Sequence, residues 1–324
     1  MTEVTGISNW QLTVCRKADS MTILRAATCD RTATIPEMIF GLPVTEIADH
    51  AFASGCGTEP GEQIQISHGI SEGKFDNSRL EKLTFPKSLK RIENYALMRC
   101  RALRTLVLWD GISYFGAGIF INCRNLSRIE LTRENNGGCE TFSYLVRELT
   151  RELDITVNQK DEGTLRLIFP EYYEKLTENE PTHFFNYTIE GGGYAYHNVF
   201  ERNTFDIRKY DSLWEKYVCG AHDNDTALRL AWFRIRYPVG LSATAEEDYI
   251  KYLQSRLQDA LGMVIGSGDS RGLQMLLKAL PVSDNVLTFA CDLAREEHQT
   301  EILALLLERQ HRTHSETRGK RFEL

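Results

Sequence analysis

Leu80-Glu81-Lys82-Leu83-Thr84-Phe85, Leu103-Arg104-Thr105-Leu106-Val107-Leu108 and Leu126-Ser127-Arg128-Ile129-Glu130-Leu131 repeat one apolar pattern at a step of 23 residues. The same step links Leu89 to Ile112, Ile92 to Phe115, Leu97 to Phe120 and Cys100 to Cys123, so a whole unit recurs and not one motif. A unit this short cannot bury its apolar side alone. It must stack on its copies, and the chain is thereby expected to build a solenoid of parallel strands. In each unit the first, fourth and sixth positions point inward and the residues between them face water. Stacking by 23 sets Lys82 beside Thr105 and Arg128, Thr84 beside Val107 and Glu130, and Pro86 beside Trp109 and Thr132.

Those outward rows are the expected interaction face, carried by Lys82, Thr84, Thr105, Val107, Trp109, Arg128 and Glu130. Val107 and Trp109 matter most, because apolar side chains on a polar sheet face supply contact area to a partner. The bland alternative is that Trp109 covers the solenoid edge. Cys100 and Cys123 fall on adjacent coils, where spacing permits a disulfide, but a ladder of small buried side chains is the favoured reading.

Upstream, Trp10–Val14 and Thr22–Leu24 are expected to form two short strands that cap the first coil. Ala33-Thr34-Ile35-Pro36, then Gly41-Leu42-Pro43-Val44-Thr45-Glu46-Ile47 and Ala51-Phe52, with Phe85-Pro86, Ile92 and Ala96-Leu97 repeating the pattern, resemble the BspA-like class of leucine-rich repeats over residues 10 to 133. The resemblance implies a repeat fold and a protein-binding role. Its better-known members are surface proteins of bacteria, a placement that depends on export. Residues 57 to 79 interrupt the repeat as a degenerate coil or a loop insertion, and Gly57, Gly61, Gly69 and Gly73 favour an irregular excursion.

The sequence divides into the solenoid with its β cap at 1–133, a mixed α/β connector at 134–205, a helical domain at 206–310 and a polar tail at 311–324. Glu134-Asn135-Asn136-Gly137-Gly138 marks the first boundary. In the connector, Phe142, Leu145, Leu149 and Leu153 have helical spacing, whereas Ile155–Val157 and Leu165–Ile168 look extended. A helix is expected from Pro170 through Leu176, with a flexible break at Gly191–Gly193. Asp223–Asp225 can cap one later helix, and Thr244 with Glu247 forms a capping box for another. Asp269–Leu280 and Val286–Arg309 resemble an ankyrin-like helix pair. The fold class is therefore α+β and multidomain: a leucine-rich-repeat solenoid followed by an all-helical part.

Chemistry is harder to find. Gly266-Ser267-Gly268-Asp269-Ser270-Arg271-Gly272 lacks the Gly-Lys-Ser/Thr ending of a phosphate loop and reads as a helix connection capped by Ser267 or Asp269. His222–Asp225 offers metal-friendly atoms, but capping uses the same residue types. His50, His183, His197 and His298 show no ligand spacing, Cys219 and Cys291 have no evident base, and Glu171, Glu174, Glu178 and Glu180 read as a solvated face. No catalytic, cofactor-binding or metal residue is assigned.

Tyr194 and Tyr196 suit either a recognition loop or a tight bend, the bend being favoured. With a net charge of −7, nucleic acid and anionic membrane are not the expected partners, although local basic patches are allowed. Eight cysteines without CxxC pairs and an opening without an apolar signal core point to a cytoplasmic chain. A non-enzymatic scaffold or adaptor with a protein partner is the leading expectation. The alternatives are a ligand-binding or enzymatic C-terminal domain that the solenoid targets, and a surface adhesin.

Overall fold

The inward rows expected from the 23-residue step are the core of the structure. A computed structural model describes residues 8–53, 62–69, 74–134, 139–179 and 184–321. They divide into two compact units, Met1–Leu213 and Trp214–Leu324.

The first unit opens with β1 (Trp10–Arg16), β2 (Met21–Ala27), β3 (Thr32–Thr34), β4 (Met38–Ile39), β5 (Leu42–Ile47) and β6 (Gln63–His68). The coils continue through β7 (Lys82–Thr84), β8 (Arg91–Ile92), β9 (Thr105–Trp109), β10 (Tyr114–Phe115) and β11 (Arg128–Arg133). One sheet runs β10-β8-β5-β2-β1-β6, with β4 paired to β5, and the other begins β3-β7-β9-β11, all parallel. The coils of β3 and β5, β7 and β8, and β9 and β10 each contribute a strand to both sheets, and the apolar residues of the two sheets meet between them. Ala33, Leu83, Leu106 and Ile129 lie side by side in register, each fully buried.

Turns repeat as faithfully as strands. His50, Tyr95 and Gly118 occupy one corner with φ of 56°, 55° and 63°. Asn94 O accepts from His50 N at 3.1 Å and Ala117 O from Tyr95 N at 2.9 Å. His50 stacks on Tyr95 with ring centres 5.1 Å apart, which gives that histidine a packing role. A Cβ at Gly118 would lie 2.6 Å from the Tyr95 ring, so the ladder needs glycine at this rung. Cys100 and Cys123 are buried and free, and the Cys123 thiol donates to Leu97 O at 3.0 Å.

Residues between the first and second coils are an excursion and not a coil, since β3 pairs directly with β7 and β6 pairs antiparallel with β1 at the edge of the other sheet. The tip, 54–61 and 70–73, lies outside the described residues. Asn77 closes this detour with φ of 59°.

The sheet does not end where the repeat does. After α1 (Glu140–Glu148), β12 (Leu153–Gln159) adds parallel to β11, and β13 (Gly163–Phe169) returns antiparallel to β12. Ile155 and Leu167 extend the buried row of Leu106 and Ile129. Helix α1 stops at Glu148, short of the expected run to Leu153, because Leu149 is already extended and Leu153 is taken into β12. Its start is tied to the preceding coil: Asp110 Oδ1 accepts from Thr141 N at 3.2 Å, Thr141 Oγ1 accepts from Ile112 N at 3.2 Å, and Tyr144 stacks on Phe115 at 4.0 Å.

The helix expected from Pro170 is absent. Tyr173–Asn179 is strand β14, paired antiparallel along its length with β15 (Phe184–Glu190). Seven cross-strand pairs outweigh a local helical spacing of only two turns, and Tyr173, Thr177, Tyr187, Thr188 and Ile189 favour strands. Gly191–Gly193 makes a tight bend: a Cβ on Gly193 would sit 1.8 Å from Pro170 O. Tyr196 of α2 (Tyr194–His197) is buried, whereas Tyr194 is exposed. β16 (Phe200–Glu201), β17 (Thr204–Phe205) and α3 (Ile207–Ser212) complete the unit, with Phe142, Phe169, Phe200 and Phe205 clustered edge to face or tilted.

The second unit contains α4 (Trp214–Cys219), α5 (Asn224–Arg236), α6 (Ala243–Ser255), α7 (Leu257–Gly266), α8 (Ser270–Ala279), α9 (Asp284–Glu296) and α10 (Thr300–Arg321). Asp223 caps α5 by accepting from Thr226 N at 2.8 Å, and that bond holds its carboxyl below the usual range. The α6 cap is Ser242, whose Oγ accepts from Ala245 N, so Thr244 sits inside the first turn and the expected capping box does not form. Asp269 caps α8 through Gly272 N at 2.8 Å, which makes the glycine-rich stretch a helix connection. Gly268 and His298 occupy equivalent left-handed turns, α7 to α8 and α9 to α10. Leu261, Ile265, Leu273, Leu276, Ala290 and Leu306 fill the interior.

Candidate interaction surface

The outward side of the second sheet is a set of straight rows fixed by backbone pairing. One row runs Thr32, Lys82, Thr105, Arg128, Asp154, and the next runs Thr34, Thr84, Val107, Glu130, Thr156, Arg166. Trp109, Thr132 and Asn158 form a third. The structure therefore brings all seven sequence-chosen residues onto one face.

Their environments differ. Thr105 is only 6% exposed and belongs more to the floor of the face than to its contact layer. Val107 and Trp109 are half-buried, presenting part of an apolar edge to solvent. Lys82 reaches past β9 to Glu130, with Nζ to Oε1 at 2.8 Å. Arg128 is exposed. The charges on this face are thus largely spent on one another, and the apolar pair stands between them. Pairs this exposed contribute about 0–1 kcal/mol each, so they orient side chains more than they stabilise the fold.

Two residues absent from the sequence-based face extend it. Arg166 grips Asp154 with two hydrogen bonds of 2.8 and 2.6 Å on the strands added beyond the repeat. Asp154 follows Arg128 by 26 residues and so escapes the 23-residue arithmetic. A signal was present: Ile155-Thr156-Val157 copies the in-out-in order of Ile129-Glu130-Leu131.

Beneath the face, Arg133 Nε lies 2.9 Å from Asp110 Oδ2, both well buried. Burial pushes the Asp110 carboxyl up while Arg133 and the Thr141 N–H pull it down. This pair joins β11 to the coil that holds α1. Thr141 N donates to Asp110 Oδ1 and Arg133 Nη1 to Gln159 Oε1, so neighbouring elements hold both side chains and the pair acts as a brace. No group of three or more metal-ligating His, Cys, Asp or Glu side chains occurs among the described residues, and no helix there is long and apolar enough to cross a membrane.

Residues 22–145 match the BspA type leucine rich repeat region in six copies. The matched segment covers the coils from β2 into α1, in agreement with the resemblance carried by the Ile35-Pro36 and Ala51-Phe52 motifs. The ankyrin-like likeness expected for 269–309 finds no support in the comparisons. No curated protein and no solved structure matches the chain.

Proposed function

We propose that this chain is a non-enzymatic scaffold or adaptor that docks a protein partner on the outward face of its six-stranded sheet. Leucine-rich repeats typically serve as protein-interaction scaffolds. The observation that carries the reading here is the register itself: Lys82, Val107, Trp109, Arg128 and Glu130 come from three coils yet form one continuous surface. Such a wall offers many partial contacts spread over several coils, which suits recognition better than bond making. Seven free thiols among the described residues are compatible with a reducing compartment, which supports a cytoplasmic reading.

Pull-down from native lysate with full-length protein tests the reading, comparing wild type with the double variant Val107→Glu and Trp109→Glu. Proteins retained by wild type should be lost from the variant at unchanged circular dichroism. Equal retention by both would remove the sheet face as the docking surface. A fragment for the same assay should span 1–213, because cutting at 133 strips β12 from β11 and leaves an open strand edge.

A further inference from the structure

The corner of the solenoid beside the sheet face carries an arginine cluster at odds with the chain's net charge of −7. Arg99, Arg101 and Arg104 lie on one coil loop and Arg124 on the next, where it stands at the position equivalent to Arg101. All four are exposed, and among the described residues none makes a side-chain ion pair or hydrogen bond. Backbone bonds hold the loops against each other: Arg99 N donates to Ile121 O at 2.8 Å and Arg128 N to Arg104 O at 3.0 Å. Asn125 Nδ2 donates to Arg101 O at 2.7 Å, and Arg151 of the next layer donates to Arg124 O. The backbones at Arg101 and Arg124 are therefore stacked at about the 4.8 Å spacing of neighbouring strands, so their side chains leave the surface from adjacent layers. Several other cations of the solenoid are answered: Lys17 by Glu46, Arg31 by Glu81, Lys82 by Glu130, Lys87 by Glu134.

Beside Arg124 and Arg151 opens a cavity of about 300 Å³ lined by Phe120, Ile121 and Leu149, with Glu148 on its rim and Ile121 45% exposed. Cationic forks next to a cavity of mixed lining, with Ile121 as its exposed apolar wall, suit a ligand with carboxylates and one aliphatic side chain. We propose that the corner formed by Arg99, Arg101, Arg104 and Arg124 docks a short acidic peptide segment of a protein partner, whose apolar side chain enters the Ile121–Leu149 cavity. Guanidinium groups suit this work because each can hold a carboxylate through two parallel bonds. A nucleic acid fits less well. Three layers span only about 10 Å, the length of roughly three extended residues. A nucleic-acid strand would run on past the cluster over an acidic chain, and the four arginines include no stacking ring.

This site is separate from the sheet face, so the two readings fail independently. The test is fluorescence anisotropy with full-length protein and a labelled octapeptide of six glutamates flanking a central Leu-Leu pair. Saturable binding is expected, weakening about tenfold in the double variant Arg101→Glu and Arg124→Glu, and clearly when Ser-Ser replaces Leu-Leu. It should also weaken on raising salt from about 0.05 to about 0.5 M, and stay unchanged in Val107→Glu. Arg101→Ala with Arg124→Ala decides the matter should charge reversal disturb folding. Absent binding, binding indifferent to both arginine variants, or displacement of the peptide by a single-stranded oligonucleotide of equal charge at lower concentration would overturn the proposal.

Discussion

Replacing Asn77 should damage the solenoid more than any surface position, and the structure says by how much. Its Oδ1 accepts from Thr28 N at 2.8 Å, while Nδ2 donates to Ala26 O at 2.9 Å and Phe52 O at 3.0 Å. One side chain thus ties the end of β2 to the Phe52 turn and to the return of the excursion before β7. In Asn77→Ala the Thr28 N–H, 1% exposed as a residue, loses its acceptor, a cost of about 1–3 kcal/mol. The two carbonyls keep a second lone pair and add less. Alanine must also hold φ near 59°, which disfavours it by roughly 1 kcal/mol more than asparagine. The sum is about 3 kcal/mol, against a typical domain stability of about 5–15 kcal/mol. Asn77→Gly loses the same bonds but tolerates the backbone, and should be more stable than the alanine variant by roughly 1 kcal/mol. Urea unfolding followed by circular dichroism gives the global cost, and hydrogen exchange over residues 21–34 reports the local opening at Thr28. An alanine variant within about 0.5 kcal/mol of wild type, or a glycine variant below it, would refute this account of the detour.

Two further outcomes follow from buried titrating groups. Burial raises the Cys100 thiol far above its ordinary value, helped by Cys123, and pushes Cys123 up to about 11, so neither forms much thiolate at neutral pH. Iodoacetamide labelling read by mass spectrometry should modify exposed Cys219 first and these two only on unfolding. Rapid native labelling of Cys100 would contradict their place inside the stacked coils. His197 is fully buried, with Nδ1 2.6 Å from Val146 O and Nε2 2.9 Å from Pro170 O. Desolvation lowers its pKa, and the two carbonyls oppose that shift without reversing it. The unfolded chain therefore takes up the proton first on acidification. Stability should be intact above the ordinary histidine value near 6.5 and fall as pH drops through the lower folded value. In His197→Gln the urea midpoint should vary less between about pH 7 and pH 5, and an unchanged slope would assign the acid sensitivity to another group.

What could be read from residues alone follows the range of the interaction that decides each element. Leu83, Leu106 and Ile129 align because stacked copies repeat the same local geometry, so counting 23 residues is equivalent to measuring a register. Layer β12 belongs to the same sheet, but helix α1 intervenes and the step becomes 26, so periodicity stops before the sheet does. The β14–β15 hairpin fails differently. Phe169, Tyr172, Tyr173 and Leu176 fit an i, i+3, i+4, i+7 helical stripe, yet Phe169 is fully buried and Leu176 is 63% exposed. Only pairing with residues 184–190 explains that contrast, and a strand partner farther along the chain leaves no trace in local spacing. The arginine corner was hidden by an average. A net charge of −7 argues correctly against a basic protein, but the sum erases position, and stacking sets Arg124, one repeat later, on the coil next to Arg101, where Asn125 ties the two loops together. In a solenoid the informative charge is the charge per row, because the rows, not the whole chain, are what a partner meets.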